Sequence, residues 1–367
     1  MLLALVQGLM MVTIRKITTA ILLIWTALMF TSCIEWSTNP QGQLQSVGVP
    51  GLPIWQDQQY SNQKQLVSKG ELAASPGSVV DPSAVKIGSS VSDAPWLTDV
   101  NEWRSEAGVV PVGENFQLSD GAADHACYLV KNGPSNPAEF HAYEMNIGAA
   151  AHIEDPGNQY FTPAGEQAAH TGDVTWDRNP EADVDGLVEA PFHRLSILAP
   201  WNRVAGYGDC GRFPMRAATL VLRGSTPVGL AKTVIFPPES STVPGMMKNS
   251  EWPNPLAACP GYSLPVGTPI TVQMGAFVRI SLRSYSVTDE STGRKVKACG
   301  FDAQSYPIRW GQKVLLSYGA IVVVPRRPLL PGHTYRVSLK TARHSFDWCF
   351  SVLGDQKHPT LRTASSR

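Results

Sequence analysis

Five of the eight histidines in this 367-residue chain (His125, His141, His152, His170 and His193) fall within one stretch. Acids crowd the same stretch: Glu154, Asp155, Glu166, Asp173, Asp177, Asp183, Asp185 and Glu189. Imidazoles with carboxylates are a ligand mix that zinc accepts, and such a set can leave one position open for water or a ligand. A lone His is more often a packed, hydrogen-bonded residue, so the competing expectation is a structural polar cluster. The chain contains no HExxH, no CxxC pair and no GxSxG. The metalloprotease, zinc-ribbon and nucleophile-elbow hydrolase signatures are therefore missing.

These residues need elements to position them. Trp96 to Gly108 reads as a helix, with Leu97, Val100 and Trp103 or Arg104 on one face and Gly108 as its left-handed stop. A second helix is expected from Ser119 to Asn132, capped by Ser119 and ended before Gly133-Pro134. Thr162-Pro163 reads as an N-cap followed by Pro at the first helical position, opening a short helix through Ala169. Asp183 to Leu198 is a weaker helical pattern, and Arg216 to Arg223 reads as a strand. The mix predicts an α+β fold.

The flanks carry different information. Arg15-Lys16, the apolar run Ile17 to Phe30 and then Thr31-Ser32-Cys33 describe an export signal over 1–32. Phe30-Thr31-Ser32-Cys33 is similar to a bacterial lipobox, with Phe where Leu is usual, which makes Cys33 the candidate lipidated residue. Residues 33–94 are rich in Ser, Gln, Pro and Gly and read as a flexible linker. From Val234 onward helical periodicity disappears. Strands are expected at Thr233–Phe236, Pro269–Met274, Phe277–Leu282, Lys313–Leu316, Ala320–Val324 and Thr334–Leu339, in a sandwich over 230–355. Export permits disulfides; Cys127 and Cys210 are candidates for one pair, and Cys259, Cys299 and Cys349 cannot be assigned. The charge balance, 30 Lys+Arg against 30 Asp+Glu, leaves no global field for nucleic acid.

The order of segments over 95–224 resembles the CAP superfamily (cysteine-rich secretory proteins, antigen 5 and pathogenesis-related 1) in its bacterial form. The pieces are Asn101-x-x-Arg104-x-x-Ala107-Gly108, then Leu118, Ala122, His125 and Ala126, then Ala151-His152-Ile153-Glu154. Tyr160 through Glu166, Ala190-Pro191-Phe192-His193-Arg194-Leu195, Leu198-Ala199-Pro200 and Gly206-Tyr207-Gly208 complete them. The resemblance implies an αβα sandwich with a cleft lined by two His and two acids, which in some members hold a divalent metal. Carried over, His152 and His193 match the histidines and Glu166 the acid of a Gly-Glu-Asn motif, with Gln167 in place of Asn. Glu189 is the candidate second acid, with Asp185 and Glu154 as alternatives. Ile321 to Val337 and the closing Phe346 to Phe350 resemble bacterial Ig-like domains.

The expected protein is thus an exported, lipid-anchored envelope protein whose cleft binds a lipid, glycan or envelope polymer, with zinc as the candidate metal. The alternative is a metal-assisted hydrolase, in which His152, His193 and Glu166 activate water. A structural envelope lipoprotein with a vestigial cleft is a third expectation. No nucleic-acid partner is expected.

Overall fold

The computed structural model describes residues 35–38, 44–47, 94–225, 229 and 231–354. The expected signal and Cys33 lie outside the described residues. Within the expected linker, β1 (Glu35–Thr38) pairs antiparallel with β2 (Leu44–Val47). Residues from 94 onward belong to a different compact unit.

That unit opens with α1 (Pro95–Glu106), which begins on Pro and buries Trp96, Leu97, Val100, Trp103 and Arg104. β3 (Gly113–Glu114) leads into α2 (Phe116–Asn132). Its cap is not the expected Ser119 but Asn115, whose side chain accepts from the Leu118 amide. Ser119 donates to Glu114 instead. α3 (Pro137–Ile147) buries only Phe140, too weak a stripe to be read from sequence. After a 3-10 turn, Gly148–His152, comes α4 (Pro163–Thr171), capped by Thr162 as expected. β4 (Gly172–Thr175) follows. The single helix expected over 183–198 is two, α5 (Pro180–Glu189) and α6 (Pro191–Ile197), because Pro191 brings no amide with which to continue α5.

β5 (Asn202–Arg212) and β6 (Met215–Gly224) form an antiparallel pair in a sheet of order β3-β5-β6-β4. Ala218, Leu220 and Leu222 of β6 join Trp96, Val100 and Val184 from α1 and α5. Val221 faces the other way, with Ala122 of α2 and Ala168 of α4. α2 lies almost on the backbone of β5: a Cβ at Gly208 would stand 2.1 Å from the Ala123 nitrogen, and one at Gly206 2.4 Å from Leu118. Only glycine permits that approach. The Cys127–Cys210 disulfide then joins α2 to β5 across 83 residues. Closing such a loop contributes about 4.5 kcal/mol in the chain-entropy picture.

The C-terminal stretch contains β7 (Val234–Phe236), β8 (Thr242–Val243), β9 (Met246–Met247), β10 (Val266–Gly267), β11 (Ile270–Gln273), β12 (Leu282–Asp289), β13 (Arg294–Val296) and β14 (Ala298–Asp302). α7 (Arg309–Tyr318), β15 (Ala320–Pro325), β16 (Thr334–Thr341) and β17 (Ser345–Val352) complete it. Two sheets, β14-β15-β11-β7 and β13-β12-β16-β17-β8, share one apolar cluster in which Phe236, Val272 and Val323 meet Val287, Val337 and Trp348. The opposite side of β15 packs Val322 and Val324 with Phe192 and Leu195 of α6 and with Leu315 of α7. β15 is therefore buried on both faces, which explains its unbroken Ile-Val-Val-Val run.

Three expectations need correction here. Lys313–Leu316 lies in α7, where Gly311 and Leu315 are buried one helical turn apart. Gly311 sits beneath the Tyr306 ring, where a Cβ would be 2.2 Å away. Helical periodicity therefore does not vanish after Val234. Of Phe277–Leu282 only Leu282 is strand. Cys259 pairs with Cys299, and Cys349 is the free cysteine among the described residues. The class is α+β, as the sequence predicts. Among the described residues no helix is long and apolar enough to cross a membrane.

Two buried arginines hold the architecture. Arg104 is fully buried and donates to the carbonyls of Val110, Ile197, Ala199 and Asn202. Arg194 donates to Val188, Glu189 and Pro269 carbonyls, with its guanidinium 3.7 Å from the Phe236 ring centre. It thereby ties α6 to β7 and to the approach to β11.

Candidate functional site

His152 closes the 3-10 turn before α4, and His193 lies in the first turn of α6. His152 Nδ1 donates to the Ala169 carbonyl at 3.0 Å. The proton is thus on Nδ1, and Nε2 is left as the acceptor. Burial, and next the charge of His193, pull its pKa down to about 4. His152 is therefore a neutral imidazole at ordinary pH. Its ring centre is 6.1 Å from that of Trp252, which is 5.3 Å from Trp310.

His193 is the centre of a denser set. Its Nδ1 meets Asp173 Oδ1 at 3.0 Å, and Asp173 Oδ2 accepts from Ser196 Oγ at 2.7 Å. Burial, and next the charge of Asp173, push the pKa of the Tyr318 hydroxyl of α7 up. Glu251 Oε2 stands 3.9 Å from His193 Nε2, while the Glu251 carboxylate accepts the backbone amides of Phe192 and His193. Burial lowers the His193 pKa, but the Asp173 hydrogen bond and the Asp173 and Glu251 charges outweigh it, and the pKa ends raised. Burial pushes Glu251 up to about 7 against His193 and the two amides. The local sequence explains the placement. Pro191 starts a fresh helix, so the Phe192 and His193 amides have no partner within α6 and turn to Glu251.

The other residues named from the sequence do not join this set. Glu166, in the first turn of α4, accepts the Glu154 amide at 2.6 Å and meets His170 Nε2 at 2.6 Å. Glu154 is buried against His125, with Nδ1 to carboxylate 2.8 Å, while His125 Nε2 faces the Ala151 carbonyl at 2.8 Å. The His125–Glu154 pair leaves both ring nitrogens facing oxygen. It pins α2 to the 3-10 turn. Glu189 ends α5. Burial raises its pKa to about 7, with the charge of Lys248 opposing the rise. Asp185 accepts from Trp103 Nε1.

Among the described residues no three His, Cys, Asp or Glu side chains are arranged to hold a metal ion. His152, Glu166, His193 and Glu189 are not a common donor set: Glu166 is engaged by Glu154 and His170, and His193 by Asp173. No step through a metal follows from this geometry. Ser196 and His193 do not form a nucleophile–base pair, because Ser196 donates to Asp173.

Two members of the set were not singled out from the sequence. Asp173 stands among the acids of the histidine-rich stretch and needed only the strand β4 to be recognised. Glu251 carries no local signal; it lies 58 residues from His193 in a Pro- and Asn-containing loop. A scan against protein-family models finds no match for this chain, and no curated protein matches it.

Proposed function

We propose that the chain is an exported, lipid-anchored protein of the bacterial cell envelope that binds a glycan-type ligand and does not catalyse. In this reading residues 95–224 are a CAP-like αβα sandwich, residues 230–355 an Ig-like sandwich, and Cys33 the anchor. The carrying observation is the face formed by His152, Trp252 and Trp310. A neutral imidazole with a spare acceptor nitrogen stands beside two indoles, and the polar groups behind it are bonded to one another. Aromatic walls with a few placed polar groups are how small-ligand sites combine affinity with orientation. Ile153, next to His152, is 55% exposed, and Ile308, two residues before Trp310, 43%. Helices on both faces of the β3-β5-β6-β4 sheet support the sandwich assignment, and two face-packed sheets support the second module. Metal-assisted hydrolysis has less support, since Glu166 is bonded to the Glu154 amide and His170, and His193 to Asp173.

Titration of the full chain with soluble N-acetylglucosamine oligomers, followed by tryptophan fluorescence, tests the reading. Saturable binding is expected, weakened about tenfold or more in Trp252→Ala and in His152→Ala. Equal binding by both variants, or no saturation, overturns it. Cleavage of the oligomers that disappears in His193→Ala would replace binding with catalysis.

A further inference from the structure

A cavity of about 420 Å³ opens between β13 and the chain that follows β15. That volume lies in the range of roughly 300–1,000 Å³ that holds small ligands. Arg294, Lys295, Lys297, Arg326 and Arg327 line it, with Asp289 as the single acid among the lining residues. Composition does not explain the imbalance, because the whole chain carries as many acids as bases.

The fold brings these cations together from two separate runs. The Arg326 amide donates to the Lys297 carbonyl at 2.8 Å, which sets 294–297 beside 326–327. Asp289 does not neutralise them. It sits opposite Arg294 in the β12–β13 register, yet its carboxylate meets His333 Nδ1 at 3.0 Å and accepts the Ser291 amide at 3.0 Å. Arg326 reaches the Gly261 carbonyl and stands 5.5 Å over the Tyr262 ring. Among the described residues, Arg294, Lys295, Lys297 and Arg327 take part in no ion pair. All five cations are exposed.

Like charges held on a concave wall repel one another and focus a positive potential into the cavity. The fold draws no compensating contact from four of them. A ligand that brings negative charge removes the repulsion. Three guanidiniums favour oxyanions that accept two parallel hydrogen bonds, and the two ammonium groups add point charges; phosphate fits both.

We propose that this cavity binds a phosphate ester carrying two or more phosphoryl groups. The site is separate from the His152 face and does not depend on the function assigned there. The test titrates the full chain at low salt with inositol hexakisphosphate by calorimetry, and with vesicles of cardiolipin, whose headgroup carries two phosphoryl groups, by co-sedimentation. Saturable binding of at least one probe is expected, weakened about tenfold or more in Arg294→Glu with Arg327→Glu, and falling steeply with added salt. Lys340→Glu with Arg343→Glu, the same charge change outside the cavity, should bind as the parent chain does. Hexakisphosphate binding without vesicle binding assigns a soluble ester; vesicle binding alone assigns a lipid headgroup; both support the site. Binding of neither probe, or equal loss in the two double variants, overturns it. Arg294→Ala with Arg327→Ala repeats the test without introducing acids, should the Glu variant fail to fold.

Discussion

The His193 cluster and the basic cavity use charge in opposite ways. Around His193, each polar group meets a partner of its own fold: Asp173 takes His193 and Ser196, and Glu251 takes two helix amides. Around Arg294 and Arg327, four cations share a wall without an ion-pair partner among the described residues. The first arrangement spends its charge on holding β4, α6 and the 251 turn together. The second leaves its charge for something outside the chain. Histidines and acids drew attention in the sequence, yet the cluster of cations without ion pairs at the cavity lies in a different part of the chain.

This contrast can be broken by stability measurements. The largest effect is expected for Asp173→Ala. His193 then loses its Nδ1 partner inside the protein, and unpairing a buried ionisable group costs about 3–5 kcal/mol. Urea unfolding at neutral pH measures it; a loss below about 1 kcal/mol would mean that the cluster does not hold the fold.

A smaller effect is expected for Glu251→Gln, and it depends on pH. Folding raises the Glu251 pKa from its ordinary 4.5 to about 7, so its contribution is full at low pH and is lost as pH rises through 7. His152 runs the other way: its pKa falls from 6.5 to about 4, so its contribution is present above pH 6.5 and is lost as pH falls. Gln cannot titrate. Between pH 5 and 7 the variant should therefore gain stability relative to the parent as pH rises, by at most about 1.4 kcal/mol per pH unit. Unfolding midpoints at three pH values read this slope, and a pH-independent difference would count against a shared proton balance at Glu251.

The smallest effect is expected at the cavity. Arg294→Ala with Arg327→Ala should leave stability within about 0.5 kcal/mol, since exposed cations without partners contribute little to folding. A loss above about 2 kcal/mol would show that these cations serve the fold after all.

The legible parts of the fold are those with local causes. Thr162-Pro163 announces α4 because a cap and a proline act within one turn, and β6 reads as a strand from its own residues. The start of α2 is less legible, since Asn115 and Ser119 are both competent caps and the Ser119–Glu114 hydrogen bond decides between them. Lys313–Leu316 misleads because four residues fit a buried strand as well as a helix; the Tyr306 ring over Gly311 is a tertiary fact. In the site, His152 and His193 stand out by type and Asp173 by company. Glu251 does not, because nothing near it in the chain needs a carboxylate.

By itself the sequence determined the α+β class, the histidine-rich stretch and the starts of α1 and α4, because caps, prolines and apolar periods act over a few residues. Tertiary structure alone decided which histidine meets which acid, that Glu166 serves Glu154 and His170, and that two basic runs share one cavity. Those outcomes depend on strand register and on contacts between residues dozens of positions apart, and no local pattern encodes such distances.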